Sequence, residues 1–347
     1  MPRVRFSLPE VKKYPDARPS SCPYCAGVAF HKHAQREKPI KDLYIKRVTV
    51  VRYRCVDCGR TFRSYPEGVD GHSQSKRLRA VAALSWALGL SHRSVGHLLS
   101  ALGCELSRMS SWRDVQEAGE LAKGAAERRV RGRVSVAGAD ETMLRMKGEK
   151  VVAGFVMDAA SGRVVGIDLL VEQDSKGFMD WLSGYVQELG VSALVSDDLS
   201  TYKPVAEELG LDHQICLAHV RKNVSRRLDE IEGWDWYKSR IWLLVSELPE
   251  GGGRELLRME RRVRENAELR RLVVELSNKW RSLTRHKRVR GLPETNNCTE
   301  RVIGRSKIRY KTVRGYKSVD GMLNGLWLTQ WVWSGDDGLS LSDLVAA

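Results

Sequence analysis

Four of the seven cysteines constrain the first part of this chain more than any other feature does. They fall in two C-x-x-C pairs that 29 residues separate: Cys22 and Cys25, then Cys55 and Cys58. Four thiolates at the corners of a tetrahedron make a closed structural zinc site, with no open coordination position. Because residues 43–54 alternate in β fashion between the pairs, we predict a zinc ribbon over residues 18–66. His31 and His33 are alternative ligands, and unpaired surface thiols are the simpler alternative.

The 347-residue chain is strongly basic, with 58 Lys and Arg residues against 43 Asp and Glu residues and a net charge of +15. Its length suits two or three domains. This charge favours a polyanionic partner, usually nucleic acid, although a merely basic soluble protein would look the same. The sequence has no apolar run of about 18 residues and no secretory signal at its start. We therefore expect no membrane partner and a cytoplasmic, nucleoid-associated protein whose reduced cysteines bind metal.

Residues 73–125 show the spacing of short helices separated by glycines. Ser91 and Ser107 are candidate N-caps, and Gly89 and Gly103 are candidate helix stops. Short helices joined by glycine-containing turns are typical of a helix-turn-helix, which would place the third helix in the major groove of DNA. We then expect four early residues of that helix to face bases and phosphates: Arg108, Ser110, Ser111 and Arg113. A plain three-helix spacer is the alternative.

From about residue 131 to 335 the pattern changes to strands and helices in the order β-β-β-α-β-α-β. Asp140 lies on the first of these strands and Asp197 ends the fourth, while the last strand is predicted over residues 211–220. This order is typical of an RNase H-like α/β fold, in which the first and fourth strands are neighbours. We therefore predict an RNase H-like catalytic domain in which Asp140 and Asp197 converge at one end of the sheet.

Converging carboxylates suit the two Mg²⁺ ions, roughly 3.5–4 Å apart, that activate water and stabilise the leaving oxygen in phosphodiester cleavage. Mg²⁺ prefers oxygen ligands and keeps several waters, so two or three acids are enough. Glu300 is the third candidate, on a helix that Thr295, Asn296 or Asn297 can cap. Three arginines then recur every four residues and are expected to line one helix face toward a phosphate backbone: Arg301, Arg305 and Arg309.

Four segments of this half carry a resemblance to a known family. ADET, LVSDDLSTYK, ICLAHVRKN and TNNCTERVIGRSK resemble motifs of prokaryotic insertion-sequence transposases and of the eukaryotic Mutator-type group. The start, CPYC…RYRCVDCGRTF, resembles the zinc-ribbon heads of such enzymes, so the resemblance covers about residues 20–335. It implies a DDE triad of Asp140, Asp197 and Glu300 that binds Mg²⁺ or Mn²⁺. Asp198 stays open as the second ligand, although the family's second acid normally ends a hydrophobic strand.

Cys216 and His219 match the C-x-x-H element that follows the second acid in this family. The resemblance makes them possible metal ligands, with Cys298 as a speculative third. A packed thiol beside an ordinary imidazole is the alternative, and His219 can instead lie near the scissile phosphate.

The 103 positions between Asp197 and Glu300 exceed what a minimal RNase H-like core needs. Residues 233–290 show long helical patterns, so we predict an all-helical insertion. The resemblance implies that such an insertion helps to bind or shield a transposon end. Its tryptophans either pack in a core or stack on a base: Trp234, Trp236, Trp242 and Trp280. Near the end of the chain, an aromatic helix with Trp327 and Trp331 is expected to pack on the catalytic sheet.

These predictions together describe a transposase. Residues 20–120 would bind the terminal inverted repeats of an insertion sequence, and the three acids would cleave DNA and transfer strands without a covalent enzyme intermediate. Pairing two double-stranded DNA ends implies a homodimer or a larger active complex. One alternative is a catalytically inactive, transposase-derived DNA-binding regulator, although all three acids are present. The other is a structure-selective nuclease or resolvase on the same fold.

Overall fold

The computed structural model describes residues 7–130, 134–171, 174–313, 315–334 and 340–345. The chain divides into two compact units, and the first joins residues 1–128 with 305–347. The second contains residues 129–304. The predicted domain ends at 131 and 335 lie outside the described residues. No helix in the described parts of the chain is both long and apolar enough to cross a membrane.

The first unit begins with a three-stranded antiparallel sheet. Its strands are β1 (Phe30–Pro39), β2 (Arg47–Cys55) and β3 (Thr61–Ser64), in that spatial order. Phe30, Tyr53 and Phe62 pack against one another on one face, with ring centroids 5.3–5.8 Å apart. This small aromatic cluster is continuous with Cys22 and Cys55, so the sheet holds the two cysteine pairs together as predicted.

Three helices follow, α1 (Lys76–Ala87), α2 (His92–Ala101) and α3 (Arg108–Arg129). The hydroxyl of Ser91 accepts a hydrogen bond from the backbone of Ser94, and that of Ser107 accepts one from Ser110, so both predicted caps are present. Gly89 and Gly103 follow the first two helices with φ of +125° and +77°, a conformation that side chains rarely adopt. Helix α3 continues to Arg129, beyond residue 125, where the predicted helical domain ends.

The second unit is built on a mixed five-stranded sheet. Three antiparallel strands come first in the chain: β4 (Val136–Met146), β5 (Glu149–Asp158) and β6 (Arg163–Leu170). Helix α4 (Ser175–Leu189) leads to β7 (Ala193–Ser196), and α5 (Tyr202–Glu208) leads to β8 (Asp212–Ile215). The spatial order is β6-β5-β4-β7-β8, with β4, β7 and β8 parallel. A mixed sheet of this order with helical crossovers is consistent with an RNase H-like catalytic domain.

The last strand is shorter than predicted. We predicted a strand over residues 211–220, but β8 ends at Ile215 and α6 (Leu217–Asp229) begins two residues later. Val220, Val224 and Leu228 are buried at helical spacing along α6, and this apolar stripe extends back to Leu217. Cys216 is therefore the N-cap residue of a helix, and His219 lies in the first turn of that helix.

Helices alone fill the described segment that follows, as predicted: α7 (Asp235–Glu247), α8 (Gly252–Glu260) and α9 (Ala267–Leu283). Helix α9 starts separately from α8, and the side chain of Asn266 caps it. Trp234 and Trp280 pack against the helical core, whereas Trp236 is 63% exposed.

Two further helices complete the fold, α10 (Asn297–Val313) and α11 (Val319–Trp333). The boundary between the two compact units falls within α10. Helix α11 belongs to the same unit as α1 and packs against it, where Gly325 lies under the ring of Trp86. We predicted packing on the catalytic sheet, whereas the packing described for this helix is with α1. An apolar helix shows that it is buried but does not show by what.

Candidate active site and metal centres

The four cysteines of the two C-x-x-C pairs form one cluster, in which the sulfur atoms lie within 4.8 Å of one another. The Sγ atoms of Cys22 and Cys58 are 3.8 Å apart, and those of Cys25 and Cys55 are 3.6 Å apart. Tetrahedral bonds of about 2.3 Å to zinc place two thiolates about 3.8 Å apart. The donor set and its spacing therefore fit a structural zinc ion.

The sheet register brings two aspartates together. Gly138 on β4 is the parallel partner of Val195 on β7. Two residues after this pair come Asp140, which is still on β4, and Asp197, which directly follows β7, so the two aspartates lie side by side where β7 ends. Glu141 joins them, and one carboxylate oxygen from each of the three lies within 4.8 Å of the others. We call Asp140, Glu141 and Asp197 the acid cluster.

The negative charges of the acid cluster repel one another. Burial, followed by the negative charges of Asp197, Glu141 and Glu300, raises the pKa of Asp140 to about 7. Burial also raises the pKa of Glu141, despite a hydrogen bond from Tyr202. A divalent cation would relieve this repulsion, and carboxylate oxygens are the ligands that Mg²⁺ and Mn²⁺ accept. The residues present therefore fit such an ion.

Glu141 was missed at the sequence level. Neighbouring residues on a strand normally point to opposite faces, so an acid directly after Asp140 reads as solvent-facing. In the structure, Tyr202 donates a hydrogen bond of 2.7 Å from its hydroxyl to Glu141 Oε2. Tyr202 is fully buried, so this bond holds the Glu141 carboxylate beside the acid cluster. The adjacent acids in the segment ADET were the only sequence signal.

Asp198, which the sequence left as an alternative to Asp197 for the second metal ligand, pairs with a lysine. Lys279 on α9 contacts both carboxylate oxygens of Asp198 at 2.8 Å. Lys279 also contacts Glu275, which in turn pairs with Arg227 at 2.7 Å. Asp198 is thus the start of an ion-pair chain into the helical segment, and it lies outside the acid cluster.

Glu300 lies in the first turn of α10, and a hydrogen bond holds the start of this helix against β4. The side-chain amide of Asn296 donates to the backbone oxygen of Ala139 at 2.9 Å. Thr299 donates to Asn296 Oδ1 at 2.6 Å, and both side chains press on Gly138, where a Cβ atom would lie only 2.6 Å from Thr299 Oγ1. This close packing places Glu300 near enough to Asp140 to raise its pKa.

Glu300 also groups with the C-x-x-H element. Its Oε1 atom lies 3.8 Å from Cys216 Sγ and 3.7 Å from His219 Nδ1. Ligand atoms of Cys216, His219 and Glu300 all fall within 4.8 Å of one another. The speculative third ligand, Cys298, is not a member of this group as the described residues define it. The C-x-x-H spacing identified the two residues near the start of α6 but offered no reason to choose Glu300 over Cys298.

Two predicted DNA contacts are wrong. Arg309 is only 3% exposed, its guanidinium stacks 4.0 Å from the Trp86 ring, and it donates a hydrogen bond to the backbone of Leu90. Ser111 is fully buried and hydrogen-bonds to His92 Nδ1 at 3.1 Å. Spacing identifies which residues share a helix face, but it does not show that Arg309 and Ser111 are buried. Arg108, Arg113 and Arg301 are exposed, and Arg305 is half-buried.

One face of the β1–β3 sheet is strongly basic. Arg52 lies directly opposite Arg63 in the register, and Arg54 follows on the same face. Arg36 is two residues from Ala34, which is the cross-strand partner of Arg52. We call these four exposed residues the basic sheet face: Arg36, Arg52, Arg54 and Arg63. Like charges directly opposite one another repel, so this face favours an anionic partner.

The sequence matches no protein-family model and no curated protein. Among solved structures, the catalytic core domain of BIV integrase is similar over 50% of this chain and 99% of its own, with 14% identity and a TM-score of 0.21. The Drosophila P element transposase strand transfer complex is similar over 74% of this chain and 79% of its own, with 12% identity and a TM-score of 0.26. Similarities with such low TM-scores carry no argument, so the candidate site stands on its own geometry.

Proposed function

We propose that this chain is a metal-dependent DNA transposase of the DDE type. The observation that carries the proposal is the convergence of Asp140 on β4 with Asp197, which directly follows the neighbouring parallel strand β7. Glu141 joins them, and Glu300 is close enough to raise the pKa of Asp140. These carboxylates repel one another, and a bound divalent cation would relieve that repulsion.

In this proposal Asp140, Asp197 and Glu300 bind Mg²⁺ or Mn²⁺, and Glu141 supplies a fourth carboxylate held by Tyr202. Two such ions, when bound, activate water and stabilise the leaving oxygen of a phosphodiester. The chain's own contribution is to fix its oxygen ligands before the substrate arrives. Lys279 contacts the carboxylate of Asp198 at 2.8 Å, which supports Asp197 as the second ligand.

The DNA partner is proposed from the charge distribution. Arg108 and Arg113 are exposed on α3, and they are proposed to contact the terminal inverted repeats of an insertion sequence. Arg301 and Arg305, on the helix that carries Glu300, are proposed to contact the phosphates near the cleavage point. The basic sheet face adds further phosphate contacts, and the four-cysteine cluster is proposed to hold the zinc that keeps this small sheet folded.

The enzyme type, the domain arrangement and the reaction pathway are proposed from the family resemblance. We propose a prokaryotic insertion-sequence enzyme of the zinc-ribbon type, acting in the cytoplasm at the nucleoid. Its domains would be the zinc ribbon, the helix-turn-helix and the catalytic domain with its helical insertion. Its active form would hold two DNA ends and contain at least two copies of the chain. Cleavage would free a 3′-hydroxyl, which then attacks target DNA in strand transfer.

A plasmid assay tests the proposal. The substrate carries the two DNA segments that flank the gene for this chain, and cleavage is followed with Mg²⁺, with Mn²⁺ and with neither. We expect metal-dependent cuts at the ends of these segments, lost in Asp140→Asn and Asp197→Asn while DNA binding is retained. The matched control is Asp198→Asn, which removes an adjacent carboxylate that contacts Lys279 and should still cut.

The other outcomes are informative. Tight binding without cleavage in either metal would replace the proposal with a DNA-binding regulator. Cleavage without any joined product would point to a nuclease or resolvase. Loss of cutting in Asp198→Asn, with normal cutting in Asp197→Asn, would show that the second ligand had been misassigned.

A further inference from the structure

Three side chains of different chemistry meet beside the acid cluster. Cys216 is the N-cap residue of α6, His219 lies one turn later, and Glu300 lies in the first turn of α10. Both short separations, 3.8 Å to Cys216 Sγ and 3.7 Å to His219 Nδ1, involve Glu300 Oε1. The transposase proposal uses Glu300 alone, so the thiol and the imidazole have no role in it.

The imidazole is arranged as a ligand. His219 Nδ1 is buried and has no hydrogen-bond partner among the described residues. A buried polar atom without a partner is costly, so natural proteins rarely leave one. The nitrogen points at the carboxylate at a distance too long for a hydrogen bond and suitable for two ligands of one ion.

The sulfur is arranged in the same way. Cys216 Sγ accepts a hydrogen bond of 3.3 Å from the backbone N–H of Asn296. Burial raises the pKa of the Cys216 thiol, and the backbone N–H groups of Asn296, His219 and Ala218 oppose that rise. The N-terminus of a helix stabilises negative charge, and a metal ligand must be a thiolate. The backbone around Cys216 therefore suits a metal-bound sulfur.

The two separations from Glu300 Oε1 are close to those around a tetrahedral ion, and the ligand atoms of Cys216 and His219 lie within 4.8 Å of each other. Bonds of about 2.3 Å to sulfur and about 2.0 Å to nitrogen and oxygen put neighbouring ligand atoms about 3.3–3.5 Å apart. The observed 3.7–3.8 Å needs only a small contraction. Thiolate and imidazole select zinc-class transition metals, whereas the all-oxygen acid cluster suits Mg²⁺ or Mn²⁺.

We propose that Cys216, His219 and Glu300 form a second metal site, which binds a zinc-class ion through one thiolate, one imidazole and one carboxylate oxygen. Water completes the shell. The ion fixes Glu300 through Oε1, and Oε2 is left for the acid cluster. Cys216 and His219 are then positioning residues for the catalytic glutamate. This second role depends on the proposed transposase function, whereas the metal site itself does not.

Metal stoichiometry tests the site without any activity. The full chain is purified with zinc and without chelators, dialysed, and its zinc is counted by elemental mass spectrometry. We expect two zinc ions per chain, one in the four-cysteine cluster and one here. Cys216→Ser and His219→Ala should each hold one. The matched control is Cys298→Ser, which changes a thiol two residues from Glu300 and outside the group, and it should hold two.

Three further measurements separate the two zinc sites and check that the variants are folded. Cys25→Ser should lose the ion of the four-cysteine cluster and keep the other, so that Cys25→Ser with Cys216→Ser holds none. Cobalt loaded into Cys25→Ser should show a thiolate-to-metal charge-transfer band that Cys216→Ser abolishes in the same background. Circular dichroism confirms that each variant is folded. One zinc ion in the unmodified chain, or two in Cys216→Ser, would overturn the proposal.

The outcome is separable from that of the transposase proposal. Asp140→Asn should remove cleavage and leave two zinc ions, because Asp140 is not a ligand of this site. Two zinc ions in a chain that cuts no DNA would retain the metal site and reject the transposase. One zinc ion in a chain that cuts its own flanking DNA would retain the transposase and reject the metal site.

Discussion

The hydroxyl of Tyr202 acts on the proposed chemistry through a single hydrogen bond. It donates to Glu141 at 2.7 Å from a fully buried ring, in a unit where the carboxylates repel one another. In Tyr202→Phe the Glu141 carboxylate loses this donor, a bond to a charged group worth about 1.5–3 kcal/mol. We expect the Mg²⁺ concentration for half-maximal cleavage to rise several-fold, because Glu141 is no longer held beside Asp140.

The control for this variant is another tyrosine–carboxylate pair. Tyr185, which is half-buried, donates to Asp168 in the same unit and away from the acid cluster, so Tyr185→Phe removes the same atom from another tyrosine–carboxylate pair. It should lower the melting temperature without changing the metal requirement. An equal shift of the metal requirement in both variants would show that Tyr202 stabilises the fold and has no specific effect on the site.

Asp114 makes stability depend on pH. Burial raises its pKa to about 7, although a hydrogen bond from Gln74 and the charge of Arg79 both favour the ionised form. A carboxyl whose pKa is higher in the folded than in the unfolded state destabilises the fold once it must ionise. The folded state therefore loses stability as pH rises from about 4, the unfolded pKa, through about 7.

Asp114→Asn removes this pH dependence, because an amide cannot ionise and still accepts from Gln74. At pH 8 the variant should be more stable than the parent by an amount on the order of 1–4 kcal/mol, whereas at pH 5 the two should differ much less. Chemical denaturation at both pH values measures this difference. A variant less stable than the parent at pH 8 would mean that the Asp114 charge is favourable in the folded state.

At the scale of elements, the contact between α10 and β4 decides where Glu300 lies. Gly138→Ala would put a Cβ atom 2.6 Å from Thr299 Oγ1 and 2.9 Å from Asn296 Oδ1, both buried and mutually hydrogen-bonded. Overpacking of this kind costs about 1–3 kcal/mol and forces the helix start away from the strand. We expect DNA cleavage to fall at least tenfold while DNA binding is retained.

Gly184→Ala is the matched control, because a Cβ atom there meets nothing and α4 gains helix propensity. It should be slightly stabilised and fully active. Cleavage and thermal melting are compared for both variants. If Gly138→Ala is as active as the parent, the start of α10 is not what positions Glu300.

Strand order and the paired aspartates were predictable, because alternation, turns and an acid at the end of a buried strand are local signals. The length of β8 was not predictable, because residues 211–220 (LDHQICLAHV) are apolar enough for either a strand or the start of a helix. The predicted DNA contact of Arg309 was wrong for a related reason. Spacing shows that it shares a face with Arg305, but only tertiary packing shows that Trp86 covers it. The grouping of Glu300 with Cys216 and His219 was also not predictable from the sequence, because α6 and α10 meet only in the folded chain.

For the whole molecule, a net charge of +15 predicts an anionic partner but gives no position for it. The basic sheet face supplies one. None of its four arginines has a carboxylate partner in the described parts of the chain, and Arg52 donates only to the Thr61 hydroxyl. Two exposed arginines held directly opposite each other gain most when a phosphate lies between them.

This arrangement predicts a specific salt dependence for binding to duplex DNA. Removing one arginine–phosphate interaction reduces the slope of log affinity against log salt by about 0.9, so Arg52→Ala and Arg63→Ala should each reduce it by about 1. Arg47→Ala is the control. It removes the same charge from the same sheet, but Arg47 lies on the opposite face beside Glu37, so the slope should barely change. Equal slopes in Arg52→Ala and Arg47→Ala would mean that DNA responds only to the total charge and that the basic sheet face is not a binding surface.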